Sequence, residues 1–134
     1  MTNDGKFVIL LVDDENDFRE IMKAKLESSG FVVVEAHNGE EGFKIAKKLN
    51  PDLVLLDVRM PKMNGVETLA KIKTDPDTAG LKILFLTNLG EEQENSAWLD
   101  DKFAKDAGAV GHIRKTDDLN AIIERINREL GLVS

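Results

Sequence analysis

Three carboxylates, a hydroxyl and an ammonium stand where apolar runs of this sequence come to an end. Asp13 and Asp14 follow FVILLV, Asp57 closes LVLLD, Thr87 closes KILFLT, and Lys115 follows the run Ala109–Ile113, with Glu15 at the margin. If the fold gathers these ends, the carboxylates repel one another, so that one takes a proton or a cation sits among them. A hard, oxygen-seeking cation such as Mg²⁺ answers this need, since it works with a few carboxylates, waters and a phosphate. Lys115 is a point charge suited to phosphate oxygens, and the Thr87 hydroxyl can donate to the same group. A carboxylate in that setting can attack phosphorus and form an aspartyl phosphate. Such a transfer asks mainly for positioning and charge neutralisation. Singly, each residue has a plainer reading. Asp-Asp after a strand caps a helix, a lysine ending a strand is solvated, and threonine is a good strand former. Their joint placement at strand ends carries the functional reading.

The elements that must position them alternate along the chain. Five short apolar runs, Phe7–Val12, Phe31–Ala36, Leu53–Asp57, Leu81–Thr87 and Ala109–Ile113, are separated by longer amphipathic stretches. Three of the runs are almost continuously apolar, the habit of strands buried on both faces of a parallel sheet. Helical spacing aligns Phe18, Ile21, Met22 and Leu26, then Gly42, Ile45, Ala46 and Leu49, and finally Leu119, Ile122, Ile123, Ile126 and Leu130. Asn38 precedes Glu41 by a capping-box spacing. Asn64 stands before a helix over Val66–Ile72, and Thr116 or Asp117 can cap the last helix. Gly30 and Gly108 read as left-handed stop residues, and Asp75–Gly80 with Pro76 as a turn-rich loop. The pattern predicts a (βα)₅ domain, a doubly wound parallel sheet with right-handed crossovers. Ligands of such folds sit at the carboxyl ends of the strands, where the candidate residues are.

Composition narrows the function classes. The 134 residues fit one domain over 1–134, with its core at about 6–130, and the 42% hydrophobic content supports a real core. A net charge of −7 without a dense Lys/Arg cluster argues against direct nucleic-acid or membrane-surface binding. Absence of cysteine excludes disulfides, thiolate metal sites and thiol catalysis. Phe7–Val12 is too short, and wrongly flanked, for a signal peptide, and no segment approaches a membrane span; the expected location is cytoplasmic.

The segments LLVDDE (10–15), LVLLDVRMPKMNG (53–65), LFLT (84–87) and HIRK (112–115) resemble the receiver domain of two-component response regulators, the CheY-like family. The most specific is the middle one, an aspartate followed by Met-Pro and then Met-Asn-Gly. The resemblance runs from about Lys6 to Leu130. It implies a flavodoxin-like sheet with strand order 2-1-3-4-5. It implies that Asp57 is the phosphoacceptor and that Asp13, Asp14 and Asp57 hold Mg²⁺ together with the backbone carbonyl of Arg59, with Asp14 ahead of Asp13 as the direct ligand. Thr87 and Lys115 would bind the phosphoryl oxygens. Pro61 would stiffen the loop after Asp57, and Gly65 would let the third helix start tightly. The implied donor is a histidine kinase or a histidine phosphotransfer protein. The output would be an altered protein contact through the fourth helix, fifth strand and fifth helix, a face that also serves homodimers.

Four departures from the family pattern bear on output. Asn88 replaces a very small residue after Thr87 and would affect the attacking water and the lifetime of the phosphorylated form. His112 replaces an aromatic switch residue, either as a flat filler of the same slot or as a group whose ionisation couples the switch to pH. Thr116 follows Lys115 in place of proline, which predicts a trans bond. The stretch around Leu89–Asp101 is several residues longer than the norm. It contains Trp98, with Ser96 placed to cap a helix running to Ala107. Three other classes compete. A pseudo-receiver would bind partners without phosphorylation. A flavodoxin-like cofactor binder is disfavoured by the acidic turn Asp13–Asp17, which has no Gly- or Ser-rich phosphate loop. A related phosphatase would need a further acid and a substrate cap.

Overall fold

The computed structural model describes residues 1–60, 63–87 and 101–132, with 101–103 as backbone alone. Pro61, Asn88 and the 89–100 stretch with Ser96 and Trp98 lie outside the described residues. The strands are β1 (Val8–Val12), β2 (Val32–Ala36), β3 (Leu53–Asp57), β4 (Ile83–Thr87) and β5 (Gly111–Arg114). The helices are α1 (Asn16–Ser28), α2 (Gly39–Leu49), α3 (Gly65–Thr74), α4 (Asp101–Ala107) and α5 (Leu119–Glu129). All strand pairings are parallel and the sheet order is β2-β1-β3-β4-β5, as the resemblance implied.

Strand alternation divides the core in two. Leu10, Val12, Val54, Leu56, Ile83 and Phe85 point to one face, where residues of α2, α3 and α4 cover them. Ile9, Leu11, Leu53, Leu55, Leu84 and Leu86 point to the other, against Met22 and Leu26 of α1 and Ile122 and Ile126 of α5. Burial on both faces explains why β1, β3 and β4 are apolar without alternation. The central strands leave only their carboxyl ends free for polar chemistry.

Local signals place the helices. The Asn38 side chain accepts from the Glu41 amide at 2.8 Å. Asn64 and Glu67 form a complete capping box at 2.8 and 3.1 Å. Gly30 (φ 97°) and Gly108 (φ 108°) are left-handed, as predicted. The amides following them, of Phe31 and Ala109, bond back to Leu26 and Ala104, which closes α1 and α4 in Schellman fashion.

The structure corrects three details. Asp118, rather than Thr116 or Asp117, caps α5, its carboxylate accepting from Asn120 N at 2.7 Å. Ile21 is exposed and Arg19 takes its place on the buried face of α1, because the guanidinium finds polar partners there. Leu49, at the end of the α2 stripe, is also exposed. The Lys115–Thr116 bond is trans, since no cis peptide occurs among the described residues.

Gly65 shows how closely α3 docks on the sheet. A Cβ there would lie 2.3 Å from the Asp57 carbonyl oxygen and 2.8 Å from Val58 Cα, both backbone atoms with little room to yield. The same residue donates from its amide to Val58 O at 2.8 Å. Gly65→Ala is therefore expected to lower stability by about 2–4 kcal/mol, the range of overpacking plus a disturbed hydrogen bond. Urea denaturation of the two proteins would read it; an unchanged midpoint would show that α3 is not held this tightly.

Candidate functional site

The carboxyl ends of β1, β3, β4 and β5 deliver the candidate residues to one edge. Asp13 follows β1, with its amide bonded to Ala36 O at 3.1 Å. Asp57 is the last residue of β3 and Thr87 of β4, while the Lys115 amide donates to Thr87 O at 2.8 Å. Asp13, Asp57 and Thr87 are buried, and Asp14 stands exposed at the rim. Lys115 Nζ enters the cluster from above β5. It lies 2.7 Å from Asp13 Oδ2, 3.3 Å from Asp57 Oδ2 and 2.6 Å from Glu15 Oε1. Its side chain is only 4% exposed.

One carboxylate oxygen each from Asp13, Asp14 and Asp57 lies within 4.8 Å of the others. Opposite oxygens around Mg²⁺ are about 4.2 Å apart, so a small closure of these side chains would enclose the ion. Asp13 Oδ2 is buried and makes no well-angled hydrogen bond, although Lys115 sits at ion-pair distance. An all-oxygen set with an under-satisfied buried anion fits a hard divalent cation. The Arg59 amide donates to Asp57 Oδ1 at 3.3 Å, which places the Arg59 backbone beside the cluster while its side chain is exposed.

Burial dominates the electrostatics. It pushes the Asp57 carboxyl up to about 8, with the Asp13 charge adding to the rise and Lys115 opposing it. Asp13 is also raised, again chiefly by burial, against the nearby Lys115 ammonium and the hydrogen bond from the Glu15 amide. For Lys115 burial works against its charge, but Asp13, Glu15 and Asp57 outweigh it and hold the ammonium firmly protonated. The site thus carries more carboxylates than one lysine can balance. The missing positive charge is what a metal ion would bring.

Thr87 Oγ1 lies 3.5 Å from Ile113 O, the outer limit of a hydrogen bond, so little holds it from turning to a ligand. His112 is half-buried on β5, in register with Phe85. The other predicted residues within the described part therefore reach this edge, and His112 lies two strand positions back from it.

Arg19 escaped the sequence reading. It is 7% exposed, donates from Nη1 to the Asp13 carbonyl at 2.6 Å and from Nη2 to Asn16 Oδ1 at 2.6 Å, and pairs through Nε with Glu35 at 3.4 Å. It braces the turn that carries the acidic pair. An arginine on the apolar stripe of α1 was the available signal. Phe18 is the other omission: its ring lies under Lys115, with Nζ 4.9 Å from the centroid.

Fold and site together define a doubly wound α/β domain with an acidic, lysine-bearing centre at the carboxyl edge of its sheet. The family model for the response regulator receiver domain matches residues 9–127, and the chain belongs to that family. It is 34% identical to the chemotaxis protein CheY of Halobacterium salinarum, across 89% of this chain and 92% of that one. It is 30% identical to the protein PilH of Pseudomonas aeruginosa, across 91% of this chain and 96% of that one. Among solved structures, a CheY-like receiver domain protein from Methanospirillum hungatei aligns with a TM-score of 0.80 at 29% identity, covering 95% of each chain. Other relatives are longer. The DNA-binding dual master transcriptional regulator RpaA of Synechocystis is 30% identical over 88% of this chain, which spans 46% of its length. The chain spans about half the length of the first curated relatives it matches.

Proposed function

We propose that this receiver domain is a phosphorylation-controlled switch whose Asp57 takes a phosphoryl group from a phosphohistidine of a sensor histidine kinase or a histidine phosphotransfer protein. The observation that carries this reading is the convergence of buried Asp13 and Asp57 on one buried ammonium, with Asp14 completing an oxygen cluster. Asp57 Oδ attacks phosphorus, and a P–O bond forms as the P–N bond breaks. The bonding pair returns to the ring, which leaves as neutral imidazole, its other nitrogen having carried the proton. Mg²⁺, held by Asp13, Asp14, Asp57 and the Arg59 carbonyl, would neutralise charge on the phosphoryl oxygens. Lys115 supplies a fixed positive charge to the same oxygens, and the Thr87 hydroxyl donates to them. Hydrolysis by water restores the carboxylate, so Asp57 is a consumed and regenerated acceptor rather than a group turning over an outside substrate.

Thr87 ends β4 and Lys115 follows β5, the strands that border α4 and α5. Their movement toward a phosphoryl group would reach the α4-β5-α5 face through His112 and the residue at position 88. Alone, the domain would act by docking to another protein or as a homodimer; inside a longer chain it would control the part attached to it. No helix among the described residues is long and apolar enough to cross a membrane, which agrees with a cytoplasmic switch.

Incubation with acetyl phosphate and Mg²⁺, followed by intact mass, tests the reading. The protein is expected to gain one phosphoryl mass, and Asp57→Asn or omission of Mg²⁺ to prevent it. A parent that binds Mg²⁺ yet never gains the mass would instead be a pseudo-receiver working only through protein contacts.

A further inference from the structure

Glu15 occupies the N-cap of α1, a position where Ser, Thr, Asp or Asn would accept from the helix amides. Its side chain makes no such bond. The carboxylate instead reaches Lys115 Nζ at 2.6 Å, the shortest of the three carboxylate contacts to that ammonium. Three residues on, the Phe18 ring supports the same ammonium at 4.9 Å. The first turn of α1 thus offers Lys115 an anion and an aromatic face. Asp57, its partner in the proposed chemistry, lies farther off at 3.3 Å.

We infer that Glu15, with Phe18, forms a resting-state seat for Lys115 that the phosphoryl group on Asp57 must compete with, making Glu15 a positioning residue that tunes phosphoryl retention. This rests on the phosphoacceptor reading of Asp57. Lys115 has one ammonium, whose hydrogen bonds go to Glu15 and Asp57 among others. A phosphoryl group needs at least one donor from the same head. Stabilisation of the resting arrangement is subtracted from the affinity for the phosphoryl-like arrangement, because a ligand shifts an equilibrium only by its differential affinity. Glu15 is half-exposed, so its hold is that of a rim contact rather than a buried pair. Removing it weakens the seat while Asp13 keeps Lys115 at the site.

The test uses beryllofluoride, a phosphoryl mimic, on the full chain at saturating Mg²⁺. Mg²⁺ affinity is measured separately for each protein, so that loss of a rim charge is not mistaken for the effect. Glu15→Gln is expected to bind beryllofluoride about two- to fivefold more tightly than the parent, the change expected when a rim ion pair is lost. The lifetime of the aspartyl phosphate is expected to lengthen in the same direction. Glu15→Asp, whose shorter side chain keeps the charge, is expected to fall between the two. Parent-like or weaker binding by Glu15→Gln, in a parent that binds beryllofluoride, would overturn the seat alone. A parent that binds Mg²⁺ but no beryllofluoride would overturn the phosphoacceptor reading, and the seat with it.

Discussion

Lys115→Met is expected to destabilise the domain by about 3–5 kcal/mol at pH 8 without divalent cations, the cost of stripping buried charges of their partner. Methionine fills much of the same volume and can still lie on Phe18, so packing is largely kept and the loss reports charge. Asp13 and Asp57 would remain buried with no counter-charge between them. The sign of the pH dependence follows. Both carboxyls are already raised by burial, and removing the ammonium raises them further. A carboxyl whose folded value lies above its unfolded value contributes stability that is whole below the unfolded value and is lost as pH rises through the folded one. The deficit should therefore be small near pH 4 and grow toward pH 8. Mg²⁺ should recover part of it, by binding the folded state alone. Urea midpoints at both pH values, with and without Mg²⁺, would check this. A deficit that did not vary with pH would assign the role of Lys115 to packing.

Asp57→Asn is expected to do the reverse and strengthen the metal-free fold at alkaline pH. Burial and the Asp13 charge hold Asp57 at about 8, far above its ordinary value of 3.8. Between those two values the unfolded chain has released the proton and the folded one keeps it, so parent stability falls as pH rises through this window. Asparagine has no proton to lose. The variant should match the parent near pH 4 and exceed it by about 2–4 kcal/mol at pH 9, a discounted fraction of what a shift of this size implies. Thermal unfolding in chelator across that range would show the two curves separating. The cost appears in metal binding, because the oxygen cluster loses one anion: Mg²⁺ should raise the melting temperature of the parent much more than that of the variant. Curves that stayed parallel from pH 4 to pH 9 would mean that Asp57 is ionised in the folded protein throughout. A functional carboxylate that lowers the stability of its own fold is the expected trade at a reactive site.

Much of this domain could be read before the structure was known, because its main signals are local. Strands buried on both faces need unbroken apolar runs, and β1, β3 and β4 announce themselves in this way. Asn38, Asn64, Gly30 and Gly108 act within four or five residues of themselves, so their types alone placed helix ends. Alternation of strand and helix restricted the topology to a wound parallel sheet, and strand ends in such a sheet must meet at one edge. Asp13, Asp14, Asp57, Thr87 and Lys115 were therefore found together, as the family motifs also implied.

One misreading shows what local pattern misses. Arg19 and Ile21 face different sides of α1, and hydrophobicity assigns the buried place to isoleucine. The guanidinium wins it because the Asp13 carbonyl, Asn16 and Glu35 surround that spot. Glu35 lies on β2, so its pairing with Arg19 was not written in any local pattern. Sequence by itself thus determined which elements form, which strand ends carry the reactive groups and what chemistry those groups allow. Only the tertiary structure decided how far Asp57 is lifted from its ordinary ionisation, that Arg19 braces the acidic turn, and that Glu15 rather than Asp57 holds Lys115 most closely. Those properties depend on burial and on distances between residues as far apart in the chain as 15 and 115, which spacing along a sequence does not encode.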